Sequence, residues 1–345
     1  LSQDTFKLLK YDAYLATNAP VSFGNYNDSQ YAAIIGREHF SFPLPKVLDV
    51  VNLTSESLSV SRYVLDSTTV SYEPPTQGAV WADLYGRNEL NLIVPDSNRI
   101  LVLNPQATSA IWEQRFSSRV SAMGIGDLNG DRLSEVVVGS NDSLFILNNS
   151  GKTITRWSLP GEKVNSLLVT KINNGSIPGI IVVTGNNQQG KVYAFSSDSA
   201  LKINELWPAR VIEGAVTNRM PAVGTTLDDK VIVIPTSRAI YGLNASSGTQ
   251  RFNYPLVAES IPGYSTVIIG DIYNTGKQTI VYGRDSLVYT LDLDGNLINT
   301  CNLPLLFGDT LDTLEIRIAD NSGPVIGNFG DRNLRLILPA QVVDD

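Results

Sequence analysis

A repeat constrains this 345-residue chain more than any other feature. An apolar strand, a turn rich in Gly, Asp and Asn, and a second apolar strand recur as one unit. Copies run Val21–Gly36, Ala79–Pro95, Ala122–Gly139, Leu167–Thr184, Ala222–Pro235, Val267–Gly283 and Val325–Pro339. An alternating strand ending on a small polar residue follows most copies. Those ends, Asn104, Asn148, Ser196, Asn244 and Asp292, step by 44, 48, 48 and 48 residues. Turn chemistry comes next, as in Asn149-Ser150-Gly151, Ser246-Ser247-Gly248 and Asp294-Gly295, which suits tight hairpins. A last strand then carries Trp112, Trp157, Trp207 or Phe252.

Each unit therefore reads as four short antiparallel strands in about 45 residues, the size of one blade of a β-propeller. Period-2 alternation dominates, and no amphipathic helix of ten or more residues is evident. Two stacked β-sandwiches would not keep so regular a spacing. The expected fold is all-β: a single β-propeller domain over residues 1–345, with blades starting near 21, 79, 122, 167, 222, 267 and 325. That gives seven four-stranded blades. After Val325 there is room for only two strands, so residues 1–20 are expected to complete the last blade. The ring then closes by pairing N- and C-terminal strands. Six or eight blades stay open, because Glu38–Ser71 reads as an irregular insert and Leu167–Thr184 is a weak copy.

Charged residues make up 17% of the chain and the net charge is −8, with no basic run. A nucleic-acid footprint is absent, and no apolar run approaches the roughly 18 residues of a membrane helix. Cys301 is the single cysteine, so no internal disulfide forms. Sequons for N-glycosylation start at Asn27, Asn52, Asn141, Asn148, Asn174 and Asn244. With few charges and abundant Asn, Ser and Thr, they lean toward a secreted or cell-surface protein; a cytoplasmic one is the alternative. The opening Leu1-Ser2-Gln3-Asp4 has no initiator Met, as in a processed or trimmed chain.

The third copy contains Asp127-Leu128-Asn129-Gly130-Asp131-Arg132-Leu133-Ser134-Glu135, with side-chain oxygens at relative positions 1, 3, 5 and 9. Hard cations such as Ca²⁺ take six to eight oxygens, which such loops supply. The stretch resembles the calcium loop of FG-GAP repeats, found in integrin α-subunit propellers and many secreted bacterial and archaeal propellers. The resemblance implies one Ca²⁺ held by Asp127, Asn129, Asp131, Glu135 and the Leu133 carbonyl. Two positions depart from the family: Arg132 stands where Gly is usual, and Glu135 where Asp is. A metal-free polar hairpin is the competing reading. Sister loops offer Asp83, Tyr85 and Arg87, or Asp271, Tyr273 and Thr275, and have lost the ligand set. The blades also resemble those of quinoprotein propellers, but no cofactor pocket is evident, and Trp81, Trp112, Trp157 and Trp207 read as packing residues.

Catalytic constellations are poorly supplied. His39 is the only histidine, no Gly-x-Ser-x-Gly elbow accompanies it, and Cys301 has no partner His nearby in sequence; no catalytic residue is assigned. The expected function is a non-catalytic secreted or cell-surface module for interaction or adhesion, with a protein or glycan partner and one structural calcium. The alternatives are a calcium-dependent polysaccharide-acting enzyme and an intracellular scaffold propeller of a multi-subunit complex.

Overall fold

The run Val136-Val137-Val138 is wholly buried. Successive side chains of a strand point to opposite faces, so both faces of its sheet must be covered. Val137 packs with Val164, Leu167, Ile180 and Val182 on one side, and Val136 and Val138 pack with Ile93, Ile100 and Val102 on the other. The same division splits Ile180-Ile181-Val182-Val183 and Val231-Ile232-Val233-Ile234 between two neighbours each. Each such side chain contributes about 1.5–3 kcal/mol by leaving water. These sequences thus specify sheets stacked face to face in chain order.

The computed structural model describes residues 78–302, apart from 105–108, 174, 176, 186–187, 215, 217–219, 257–266 and 285–286, together with strands lying within 15–66 and 315–343. The first sheet holds β1 (Leu15–Ala16), β2 (Ser22–Tyr26), β3 (Ser29–Glu38), β4 (Lys46–Asn52) and β5 (Ser59–Asp66). Five four-stranded meanders follow. The second blade is β6 (Val80–Ala82), β7 (Asn91–Asp96), β8 (Arg99–Leu103) and β9 (Ala110–Arg115). The third is β10 (Val120–Gly126), β11 (Glu135–Ser140), β12 (Ser143–Leu147) and β13 (Thr153–Ser158). The fourth is β14 (Val164–Thr170), β15 (Gly179–Gly185), β16 (Gln189–Ser197) and β17 (Ile203–Glu213). The fifth is β18 (Ala222–Thr225), β19 (Lys230–Pro235), β20 (Ala239–Asn244) and β21 (Gln250–Pro255). The sixth is β22 (Ile268–Gly270), β23 (Thr279–Arg284), β24 (Leu287–Leu291) and β25 (Leu297–Asn302). All pairings are antiparallel, as in Val137 opposite Ile146. First strands of neighbouring blades lie beside one another, β10 against β14 and β18 against β22. The fourth strands β9 and β13 alternate between exposed and half-buried. Among the described residues no helix is long and apolar enough to cross a membrane.

Two expectations are changed. Within the segment expected as an irregular insert, β4 and β5 are regular strands of the first blade. Their pattern is masked by Asp49, which is fully buried yet bonded by Arg62 through Nε and Nη2 at 2.6 Å each. Of residues 1–20, Leu15–Ala16 pairs with Arg37 and Glu38 in the first sheet rather than in the last blade. That partner is near in sequence, and a short loop costs less closure entropy than joining the chain ends. The remaining strands are β26 (Glu315–Ile318), β27 (Val325–Asn328), β28 (Leu334–Ile337) and β29 (Ala340–Val343). They pair β26 with β29 and β27 with β28, and no described ladder joins them to the first sheet.

An aromatic contact ties blade to blade. Trp112 on β9 donates its indole N–H to the Asn149 carbonyl at 2.9 Å, in the last hairpin of the next blade. Trp207 on β17 does the same to Ala245 at 3.0 Å. Each ring lies over a turn residue with left-handed backbone. A Cβ added to Gly151 (φ +82°) would stand 2.6 Å from Trp112, and one at Gly248 (φ +67°) 2.5 Å from Trp207. Phe252 on β21 covers Gly295 (φ +83°) in the same way. In the fourth blade Leu201 takes the left-handed place, at φ 59°, and packs in one cluster with Trp157. Trp81 differs: it sits on the inner strand β6, its ring 6.0 Å from Tyr31.

Candidate functional site

The loops between first and second strands open on one face, beside the hairpins between third and fourth strands. In the second, third and sixth blades their geometry follows from one aspartate per loop. Asp127 Oδ1 accepts the Gly130 and Asp131 N–H groups at 2.6 and 3.1 Å, and Oδ2 accepts Arg132 N–H at 2.9 Å. Asp83 accepts from Arg87 and Asn88 at 3.1 and 2.7 Å, and Asp271 from Thr275 and Gly276 at 2.9 and 2.6 Å. The donors are the fourth and fifth residues after the aspartate in all three. The fifth residue is left-handed each time: Asn88 (φ 58°), Arg132 (φ 71°) and Gly276 (φ 78°). Arg132 thus adopts the glycine-like conformation at a cost of roughly 1–2 kcal/mol. Leu84 and Leu128, next to their aspartates, are fully buried and pin the loops to the core.

The sequence-derived ligand set is brought together only in part. Asn129 bonds Asp131 through both its amide atoms, donating Nδ2–H to Oδ2 at 3.0 Å and accepting the Asp131 N–H at 2.9 Å. Asp131 Oδ1 accepts Leu133 N–H at 2.8 Å. Glu135 opens β11 at 2% exposure, and its Oε2 accepts Leu128 N–H at 2.8 Å. Among the described residues no three acidic, His or Cys side chains are grouped so as to hold a metal ion. Calcium binding here requires the carboxylates of Asp131 and Glu135 to converge with that of Asp127. The shared turn geometry of Asp83 and Asp271, which lack the ligand set, shows that the aspartate organises the loop by itself.

Burial pushes the Glu135 carboxyl up to about 7, the charges of Asp131 and Asp127 add to this, and the Leu128 N–H opposes it. A carboxyl raised in the folded state stabilises fully below its unfolded pKa, near 4.5, and loses that contribution as pH rises through 7. Glu135→Gln keeps an acceptor for Leu128 but cannot ionise. In chelator, its unfolding free energy from urea titration should match wild type near pH 4.5 and exceed it at pH 8 by about 2–3 kcal/mol. Parallel pH profiles would refute this burial of charge.

The sequons fare differently. Asn141 is exposed, at φ 52°. Asn148 Oδ1 accepts the Ser150 and Lys152 N–H groups, and Asn244 bonds Thr249 and Arg251, so both side chains build their own hairpins. Asn52 donates toward the Tyr31 hydroxyl. Asn27, Asn174 and His39 lie outside the described residues. Cys301 is half-buried on the outer strand β25.

Sequence reasoning missed that these loops are stitched together. Ser134 Oγ donates to the Asp83 carbonyl at 3.0 Å, joining blades two and three, and Ser197 Oγ donates to the Leu128 carbonyl, joining three and four. Lys230 Nζ donates to the carbonyls of Lys171 and Asn173 at 2.7 and 3.1 Å, joining four and five. Thr225 N–H reaches Gln278 Oε1 at 2.7 Å, joining five and six. Such links between sequence-distant polar residues leave no local motif. A polar cleft of about 850 Å³ opens between blades four and five, lined by Asn173, Asp228, Asp229, Ser246 and Arg251. On the opposite face a cleft of about 490 Å³ is lined by Glu162, Lys163, Asn165 and Lys191. There Glu162 accepts hydrogen bonds from Thr184 and Lys191.

No family model matches the chain, and neither does any curated protein. Solved structures do match. BBS1N, in its complex with ARL6DN, superposes with a TM-score of 0.57, covering 96% of this chain and 93% of that one at 11% identity. BamB from Moraxella catarrhalis gives 0.50, covering 81% and 73%, at 15% identity. Likeness at these identities carries the architecture alone: the chain has the β-propeller fold.

Proposed function

We propose that the chain is a non-catalytic propeller that binds a protein partner through its stitched loop face. The observation that carries this reading is the continuous set of cross-blade hydrogen bonds from Ser134 to Gln278. Loops fixed before binding lose little conformational entropy when a partner docks. The BBS1N structure, a propeller complexed with ARL6DN, is in keeping with the reading. Amine cross-linking of the native complex tests it. Links should concentrate on Lys152, Lys171, Lys202 and Lys277 of this face, all exposed, and avoid Lys163 and Lys191 of the other. Links confined to Lys163 and Lys191 would overturn it.

The exposed sequon at Asn141 supports a secreted or cell-surface setting. The oxygen-rich chemistry of the 127–135 loop, like that of FG-GAP repeats, supports one structural calcium. Calcium should raise the melting midpoint of wild type over chelator and leave Asp127→Asn unmoved. Equal wild-type midpoints in both would sink the calcium site.

A further inference from the structure

Large apolar side chains stand exposed at three successive loop tips on this face. Ile177 lies on the β14–β15 loop, the wholly exposed Leu227 on the β18–β19 loop and Tyr273 on the β22–β23 loop. Tyr273 takes the loop position that Asn129 holds in the third blade. The tips of Leu227 and Tyr273 are held in place. Thr226 Oγ1 donates to Asp228 at 2.8 Å and accepts the Asp229 N–H at 3.1 Å. Thr225 bonds Gln278 of the next blade, and Asp271 holds its own loop. Apolar groups on loops already fixed lose little conformational entropy when a partner packs on them.

The surroundings set the partner's charge. The polar cleft begins at Asp228, directly after Leu227. The side chains of Asp228 and Asp294 are 74% and 62% exposed. Nearby cations are engaged within the protein: Arg251 Nε bonds Asp294 at 2.8 Å, Arg251 faces Asp228 at 3.8 Å, and Lys230 is held by two carbonyls. Lys171 and Lys277 are exposed cations of this sector, against exposed Asp228 and Asp294, which share Arg251, and the half-exposed Asp229, Asp271 and Asp292.

Resting on the protein-interaction reading above, we propose that this sector docks a polypeptide segment bearing apolar or aromatic side chains flanked by lysine or arginine. Leu227 and Tyr273 supply the apolar anchors, and the aspartates supply the complementary field. Binding of this kind concentrates in a few central apolar side chains, while rim charges govern encounter and salt dependence.

The test pans a displayed library of random 12-residue peptides against the intact chain. Enriched peptides should combine aromatic or aliphatic residues with Lys or Arg, and should weaken in high salt. Leu227→Asp and Tyr273→Ala should each weaken binding about tenfold or more, and Asp228→Lys severalfold. Leu227 and Tyr273 are exposed, so the melting midpoints of those two variants should stay at the wild-type value. Ile154→Asp, an exposed change on the outer strand β13, should leave binding intact. Acidic enriched peptides, or binding indifferent to Leu227→Asp, would overturn the proposal. If such binding still maps to the loop face, lost on Asn129→Arg for instance, the broader reading survives. Binding that maps to Lys163 and Lys191 sinks both. A homodimer abolished by Leu227→Asp would identify a second copy as the occupant and overturn it too.

Discussion

Asp96→Ala is expected to lower the unfolding free energy by about 3–5 kcal/mol, seen as a large drop in the urea midpoint. Asp96 is 1% exposed at the β7–β8 turn, and two cations converge on it. Lys46 Nζ reaches Oδ1 at 2.9 Å from the first blade, and Arg99 Nε reaches Oδ2 at 2.9 Å. Arg99 continues to Glu113 at 2.9 Å and to the Leu65 carbonyl, so the network spans the first two blades. Removing the carboxylate leaves buried Lys46 beside Arg99 with its shared counter-charge gone. Adding Lys46→Met to Asp96→Ala should restore part of the loss, because the stranded cation is what costs most. A double variant as unstable as the simple sum of the single changes would refute that coupling.

Trp207→Ala should be comparably damaging, about 3–5 kcal/mol. It removes a ring that is 5% exposed, its bond to the Ala245 carbonyl, and the cover over Gly248. The turn supplies a sharper test. Gly248 and Gly161 share left-handed backbone, at φ +67° and +77°, but a Cβ at Gly161 meets nothing within 4 Å. Gly161→Ala should therefore lose only the backbone term of about 1 kcal/mol. Gly248→Ala must also displace Trp207, and should fall well below it in thermal midpoint. Equal losses would mean that the ring yields and the contact carries little.

The contrast explains what was legible in the sequence. Apolar runs such as Val231-Ile232-Val233-Ile234 announce strands buried on both faces, and the recurring turn-plus-aromatic order locates the outer strands. In the fourth blade the reading slips by two residues. The turn equivalent to Asn148 is Asp198, which accepts the Ala200 and Lys202 N–H groups, not Ser196. There β16 pairs with β17 for two further residues, through Ser197 opposite Ile203, before the turn. The outer strands of the first blade are hidden by Asp49 and Lys46, charges compensated by Arg62 on the paired strand and by Asp96 in the next blade. Of the candidate site, the loop around Asp127 was visible as a motif. Its sister loops at Asp83 and Asp271 then show that turn chemistry alone produces the same backbone.

The aromatic contacts have a direction. Every blade from the second to the fifth extends a ring toward its successor, and every blade from the third to the sixth offers a left-handed turn to receive one. Such a unit carries plug and socket on opposite edges. A copy inserted in register between two blades would find both fittings already cut, so chains of this kind can lengthen by whole blades without inventing a new interface.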